Sequence, residues 1–182
     1  GGYMMHALSA PGAEVTATLY AQVDSVGVIS ETDTTNNISP GVEICLASSD
    51  AYEGDDDISG AAWLNLGEVQ QRNFNRPTDR DWVKFTAHGD VTYTLRTFDL
   101  GNAADTYLYL YDTDGATLLA ANDDYDGSLA SRIDWMAPVT GTYYALVQHW
   151  NPNVGGCGTG YKLSLTEQLT IHTLYLPLIV RN

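Results

Sequence analysis

Apolar and polar residues alternate along much of the chain with a period of two. In Trp82-Val83-Lys84-Phe85-Thr86, Val83 and Phe85 share one face, as do Val91, Tyr93 and Leu95 further on. Tyr107-Leu108-Tyr109-Leu110-Tyr111 sends two leucines one way and three tyrosines the other. Tyr144 and Leu146 alternate with Ala145 and Val147, and Tyr161, Leu163 and Leu165 alternate with Lys162 and Ser164. Successive side chains of a strand point to opposite faces, so this period predicts half-buried strands; helical spacing is nearly absent. Asp114-Gly115 falls between two such runs and predicts a hairpin turn. Several short strands separated by turn residues predict an all-β sandwich.

The same pattern divides the chain into three. Residues 1–48 hold two or three strands, notably over 14–23, and Ser48-Ser49-Asp50 reads as a linker. Residues 49–168 carry the main sandwich. Residues 169–182 form an apolar tail whose strand positions are Ile171, Leu174, Leu176, Leu178 and Val180. Pro177 has no N–H to give to a ladder, so that strand belongs at an edge or breaks there.

Composition narrows the function. Hydrophobic residues make up 44% of 182, which is globular rather than disordered, and no apolar run approaches the ~18 residues of a membrane span. Acids outnumber bases 23 to 8, for a formal charge of −15. That field disfavours nucleic acid and anionic membrane surfaces and attracts cations. Cys45 and Cys157 form no CxxC pair, which argues against a zinc or redox site. One disulfide between them would place the chain in an oxidising, extracellular setting; two buried free thiols are the other reading.

The acids cluster twice. The first group is Asp50, Glu53, Asp55, Asp56 and Asp57, with Asp79 and Asp81 further on. Carboxylates so close repel one another, and calcium, which takes about six to eight oxygens, would remove that cost. A solvated acidic loop is the plainer alternative. The second group is Asn122, Asp123, Asp124 and Asp126, followed by Gly127 and Ser128, with Asp105, Asp112 and Ser131 near in sequence. Its oxygens suit calcium too, although Asp and Asn also favour ordinary turns. Neither Asp112-Thr113-Asp114-Gly115 nor Asp124-Tyr125-Asp126-Gly127 leads to the bidentate Glu of an EF-hand. A third polar stretch, residues 31–37, has only Glu31 and Asp33 as acids, and Asn37-Ile38-Ser39 matches a glycosylation sequon.

Catalytic patterns are missing. His6, His88, His149 and His172 are scattered, and the chain has no HExxH, GxSxG or phosphate loop. Trp63, Trp82, Trp135 and Trp150 suit either a ligand surface or core packing.

Several runs, in order, bear a family likeness. They are Ala51-Tyr52-Glu53-Gly54-Asp55-Asp56, then Asp79-Arg80-Asp81-Trp82-Val83-Lys84-Phe85, then Ala104-Asp105-Thr106-Tyr107-Leu108-Tyr109-Leu110-Tyr111-Asp112. Asn122-Asp123-Asp124, Gly141-Thr142-Tyr143-Tyr144 and Gly160-Tyr161-Lys162-Leu163 complete the set. Over residues 51–166 the chain resembles the bacterial pre-peptidase C-terminal domain. The resemblance implies a jelly-roll-like sandwich of the kind found at the end of secreted hydrolases, some of which bind calcium and some, in collagenases, collagen. That family usually has Pro where Gly54 stands. Leu19-Tyr20-Ala21-Gln22-Val23-Asp24 and residues 29–37 resemble the back half of a CARDB-type, immunoglobulin-like cell-adhesion module.

A half sandwich would expose unpaired strand edges, and the tail is the obvious strand to complete it, in its own chain or in the next copy. The expectation is therefore a non-catalytic, extracellular, calcium-binding structural protein that assembles head-to-tail with identical subunits into a fibre. The alternative is an accessory domain of a secreted hydrolase that binds extracellular matrix or polysaccharide.

Overall fold

The computed structural model describes residues 15–20, 42–46 and 49–168. The third polar stretch, the sequon and the apolar tail with Ile171, Leu174, Leu176, Leu178 and Val180 lie outside the described residues, and so does the strand exchange expected of that tail. Residues 21–41, which hold most of the likeness to a CARDB-type module, also lie outside the described residues. At the N-terminal side β1 (Val15–Leu19) and β2 (Val42–Leu46) pair antiparallel, with Thr16 opposite Cys45.

The remaining strands form two sheets. The larger has the order β3-β5-β10-β7-β8, from β3 (Ala62–Trp63), β5 (Arg80–Ala87), β10 (Gly141–His149), β7 (Thr106–Tyr111) and β8 (Leu118–Asn122). The smaller has the order β4-β11-β6-β9, from β4 (Val69–Asn73), β11 (Gly160–Glu167), β6 (Thr92–Phe98) and β9 (Arg132–Met136). Neighbours are antiparallel except for the short β3–β5 pair. A single 3₁₀ turn (Ile58–Gly60) is the only helical element among the described residues.

The period-two pattern explains the core. Val83, Phe85 and Ala87 of β5, Tyr143, Ala145 and Val147 of β10, and Leu108 and Leu110 of β7 point inward. Tyr93 and Leu95 of β6, Ile133 of β9, and Tyr161, Leu163 and Leu165 of β11 meet them from the other sheet. Phe74, which follows β4, stacks on Tyr161 with ring centroids 5.0 Å apart. Trp135, half-buried, packs edge-on against Tyr143 at 4.6 Å and so belongs to this interior rather than to a ligand surface.

Cys45 and Cys157 are joined in a disulfide that ties β2 to the loop between β10 and β11. It bridges a sequence separation of 112 residues. In the chain-entropy account a loop of that size is worth roughly 4–5 kcal/mol through restriction of the unfolded chain. The loop it holds is itself built onto the sandwich: Gly156 donates to the Phe74 carbonyl at 2.7 Å, and Thr159 Oγ1 donates to the same oxygen at 2.9 Å.

Ser49-Asp50 is not a free linker. Asp50 is buried, and its carboxylate accepts from the backbone N–H of Tyr52 at 2.7 Å and of Asn73 at 2.9 Å. Gly54 has φ of +108°, which a proline ring would forbid.

Candidate functional site

The first acidic group sits at one end of the sandwich, where β4 departs from the alternating pattern. Val69-Gln70-Gln71-Arg72-Asn73 turns Gln70 and Arg72 inward, and the Arg72 side chain is fully buried. Its Nη1 lies 2.7 Å from Asp55 Oδ2 and 3.4 Å from Asp81 Oδ1. Nε and Nη2 donate to Gln70 Oε1, at 3.0 and 2.8 Å, and the guanidinium rests 4.4 Å from the Tyr52 ring centroid. Tyr161 donates its hydroxyl to Asp81 Oδ2. Arg72 thus places a positive charge beside both Asp55 and Asp81.

The other acids of this group are met one at a time. Asp56 pairs with Arg76 at 2.6 Å on the surface. Asp57 caps the 3₁₀ turn, accepting from Ser59 N at 2.8 Å. Asp79 accepts from the backbone N–H of Asn75 and Arg80, and Glu53 accepts from Asn75 Nδ2. Burial pushes Asp79 up, and burial followed by the charges of Asp79 and Asp50 pushes Glu53 up.

One guanidinium cannot balance two buried carboxylates. Burial therefore holds Asp81 well above the ordinary carboxylate range despite Arg72, and raises Asp55 to about 6. Burial works against the charge of Arg72, but the carboxylates of Asp81 and Asp55 hold it protonated.

The second group is assembled by strand register. β7 and β8 are antiparallel with Leu108 opposite Asn122, so Asp105, just before β7, meets Asp123 and Asp124, just after β8. A carboxylate oxygen of each lies within 4.8 Å of the others. Oδ1 of Asp105 and Oδ1 of Asp123 are buried and accept no hydrogen bond from any described residue. Burial raises both acids, with Asp123 adding to the shift of Asp105 and Asp124 to that of Asp123. The surrounding chain is held by its backbone and by Ser131, whose Oγ reaches the Asp123 carbonyl at 2.7 Å and the Thr106 carbonyl at 2.5 Å. Asn122 is committed elsewhere, accepting from Arg132 N at 2.7 Å. Asp112 accepts from the backbone of Thr113 in the β7–β8 turn, and Asp126, at φ of +54°, occupies the next turn. Neither joins the triad. Buried, unpartnered carboxylate oxygens are what a calcium ion would satisfy, and three carboxylates supply up to six of the oxygens it takes.

A further feature is the outer face of the larger sheet. Alternation leaves Arg80, Trp82 and Lys84 of β5, Tyr144, Leu146 and Gln148 of β10, and Tyr107, Tyr109 and Tyr111 of β7 on this face. Register sets them in rows: Arg80, Gln148 and Tyr107; Trp82, Leu146 and Tyr109; Lys84, Tyr144 and Tyr111. Tyr107 and Tyr109 stack at 4.4 Å, Trp82 tilts onto Tyr111 at 5.2 Å, and Gln148 Nε2 donates to the Tyr109 hydroxyl at 3.2 Å. Trp63, 51% exposed, extends the face at the β3 edge, with Lys84 Nζ 5.4 Å from its ring centroid. Of the tryptophans that suit a ligand surface, Trp63 and Trp82 lie on this face; the three tyrosines join them, and their shared side is legible in the alternation alone. Arg72 carried no such signal, because β4 has no apolar repeat. Trp150 is 58% exposed, at the end of β10.

No family model matches this chain, and no curated protein matches it. Among solved structures, the pre-peptidase C-terminal domain of a collagenase from Bacillus anthracis is similar over 58% of this chain and 93% of its own, at 16% identity and a TM-score of 0.46. A periplasmic inhibitor of g-type lysozyme from Aeromonas hydrophila covers 59% of this chain and 97% of its own, at 14% identity and a TM-score of 0.41. A surface-associated copper-binding protein from Methylomicrobium album BG8 covers 59% and 98%, at 9% identity and a TM-score of 0.46. The class of this protein, an all-β sandwich with a buried ion cluster and an acidic loop triad, rests on its own two sheets.

Replacing Arg72 with Met leaves two carboxylates buried without their cation, and should cost about 3–5 kcal/mol in urea unfolding. Adding Asp55→Asn and Asp81→Asn to that variant should recover part of the loss. The cluster also sets a pH dependence. An acid whose folded pKa exceeds its unfolded value adds stability as pH falls through the folded value, complete below the unfolded one. With Asp55 at about 6 against an ordinary 3.8, this group should raise the melting temperature as pH falls from 7 towards 4.5. Asp55→Asn should flatten that rise.

Proposed function

We propose that this chain is a non-catalytic, extracellular binding module that lays the outer face of its five-stranded sheet along an extended polymer. The observation that carries the reading is that face: six exposed or half-buried aromatic rings in register on a rigid sheet, with no Asp or Glu at its outward positions. Rings commit large apolar area at little entropic cost, and their hydroxyls and the Gln148 amide supply hydrogen bonds. The rows span three adjacent strands, which suits a fibre or polysaccharide chain better than a small substrate. Such a face serves an accessory domain that keeps a secreted hydrolase or an adhesive surface on insoluble material. The disulfide supports an oxidising compartment. No described helix is long and apolar enough to cross a membrane.

Calcium belongs to the same reading at Asp105, Asp123 and Asp124, where the buried carboxylate oxygens without hydrogen bonds favour it. The ion would neutralise the loop that closes the β7–β8 end of the sheet, next to the tyrosine strand.

Sedimentation of the intact chain with insoluble polymers, including collagen fibres, cellulose, chitin and pectin, tests the binding face. Trp82→Ala and Tyr109→Ala should each weaken binding to the retained polymer by about tenfold or more, near 1.4 kcal/mol, without lowering the melting temperature enough to unfold the chain. Unchanged binding would sink the proposal. For the metal, melting in calcium against a chelator should show a gain on the order of 2.7 kcal/mol at a hundredfold excess over Kd. Asp105→Asn with Asp123→Asn should remove that gain; the absence of any shift in the unaltered chain would count against calcium.

A further inference from the structure

The charge on the aromatic face runs against the charge of the chain. The protein carries 23 acids and 8 bases. Among the described residues, Arg72, Arg76, Arg132 and Lys162 each stand within 4.0 Å of a carboxylate oxygen. Arg96 of the smaller sheet does not, and neither do Arg80 and Lys84 of the larger, although acids are nearly threefold in excess. Both project from β5 onto the outer face, on either side of Trp82. The one acid of β5, Asp81, points the other way, into the Arg72 cluster. Asp79 lies at the Arg80 end but is buried and turned to the backbone N–H groups of Asn75 and Arg80. β3, β7, β8 and β10 contain no Asp or Glu at all.

Resting on the binding-face reading above, we infer that the polymer it takes is an acidic polysaccharide, with carboxylate or sulfate groups seated on Arg80 and Lys84 and its sugar rings over the aromatic rows between them. Two observations favour a polysaccharide over an acidic polypeptide. The face is formed by β5, β10 and β7, which lie inside the sheet order, with β10 paired to both neighbours and β5 covered at Val83 and Lys84 by β3, so a chain laid across the face meets side chains rather than a ladder. Recognition falls instead to side-chain hydroxyls and amides, Tyr107, Tyr109, Tyr144 and Gln148, which match the hydroxyl-rich surface of a sugar chain. Arg80 and Lys84 are four residues apart on an extended strand, about 13 Å at 3.3 Å per residue, so they address charges that recur along a polymer. The net charge of −15 does not forbid this. At physiological salt the Debye length is about 8 Å, so acids farther than that from the face are largely screened. Asp123, at the β8 side, is an acid whose charge does reach the face, at Tyr109.

Titration calorimetry of the intact chain at 0.15 M salt, with soluble polygalacturonate, dextran sulfate, neutral dextran and poly-glutamate, tests the assignment. At least one acidic polysaccharide should bind at least tenfold more tightly than neutral dextran and poly-glutamate, and its identity separates carboxylate from sulfate as the anion. Its affinity should fall by tenfold or more on raising salt to 1 M, where the Debye length is about 3 Å. Arg80→Gln with Lys84→Gln should remove most of the binding and flatten the salt dependence, whereas Arg80→Lys with Lys84→Arg should retain it. Both positions are on the surface, so the melting temperature should hold. Equal affinity for neutral dextran or poly-glutamate, or an unaltered affinity in the Gln pair, would overturn the inference. A neutral polymer whose binding is lost in Trp82→Ala and untouched in the Gln pair overturns the inference alone and leaves the binding face standing. Failure of every polymer, soluble or insoluble, overturns the binding face itself.

Discussion

The guanidinium of Arg72 is the charge around which this sandwich closes. Arg72 is the one Lys or Arg buried among the described residues, and it joins the entering segment to both sheets. Asp55 comes from the segment entering the sandwich, Asp81 from the larger sheet, and Arg72 and Tyr161 from the smaller one. A buried ion pair contributes little net stability over an apolar replacement, because desolvation offsets the attraction. What it supplies is selectivity of arrangement: each carboxylate is tolerable inside only when the guanidinium is in reach. The residues 50–57 are thereby tied to the end of the sheets, with Asp50 adding its own hydrogen bonds to Tyr52 and Asn73.

The two acidic groups look alike in sequence and are resolved differently by the fold. The first is distributed. Arg72, Arg76, a 3₁₀ turn and backbone amides each take one or two of its carboxylates. The second is concentrated, because the antiparallel register of β7 and β8 sets the residue before one strand beside the two residues after the other. That concentration leaves an oxygen of Asp105 and one of Asp123 buried with no donor among the described residues, whereas Asp112 accepts from the backbone of Thr113.

Inside and outside are equally sorted on the larger sheet. Every acid its strands possess is turned away from the outer face, and that face collects tyrosine, tryptophan and two bases without acid partners among the described residues. A sheet that packs one face on a core must do something with the other, and most antiparallel sheets leave it polar and mixed. Here it is aromatic and, against the sign of the whole chain, basic. The same strand, β5, serves both sides: Asp81 closes the buried cluster while Trp82 and its flanking cations build the surface.

The period of two, visible in β5, β7, β10 and β11 from their residues alone, determined that this is an all-β sandwich, and which side of each of those strands is wet. It did so because burial of one face is a local property of alternation. The strand β4 was illegible for the same reason. Gln70 and Arg72 face inward without being apolar, and only the carboxylates of Asp55 and Asp81, distant in the chain, make that burial tolerable. The sequence could name two groups of acids and two cysteines, since these are residue types. Which carboxylates converge was decided by strand register, and that Cys45 meets Cys157 across 112 residues by the tertiary approach of β2 to the loop between β10 and β11; neither distance is encoded by a local pattern.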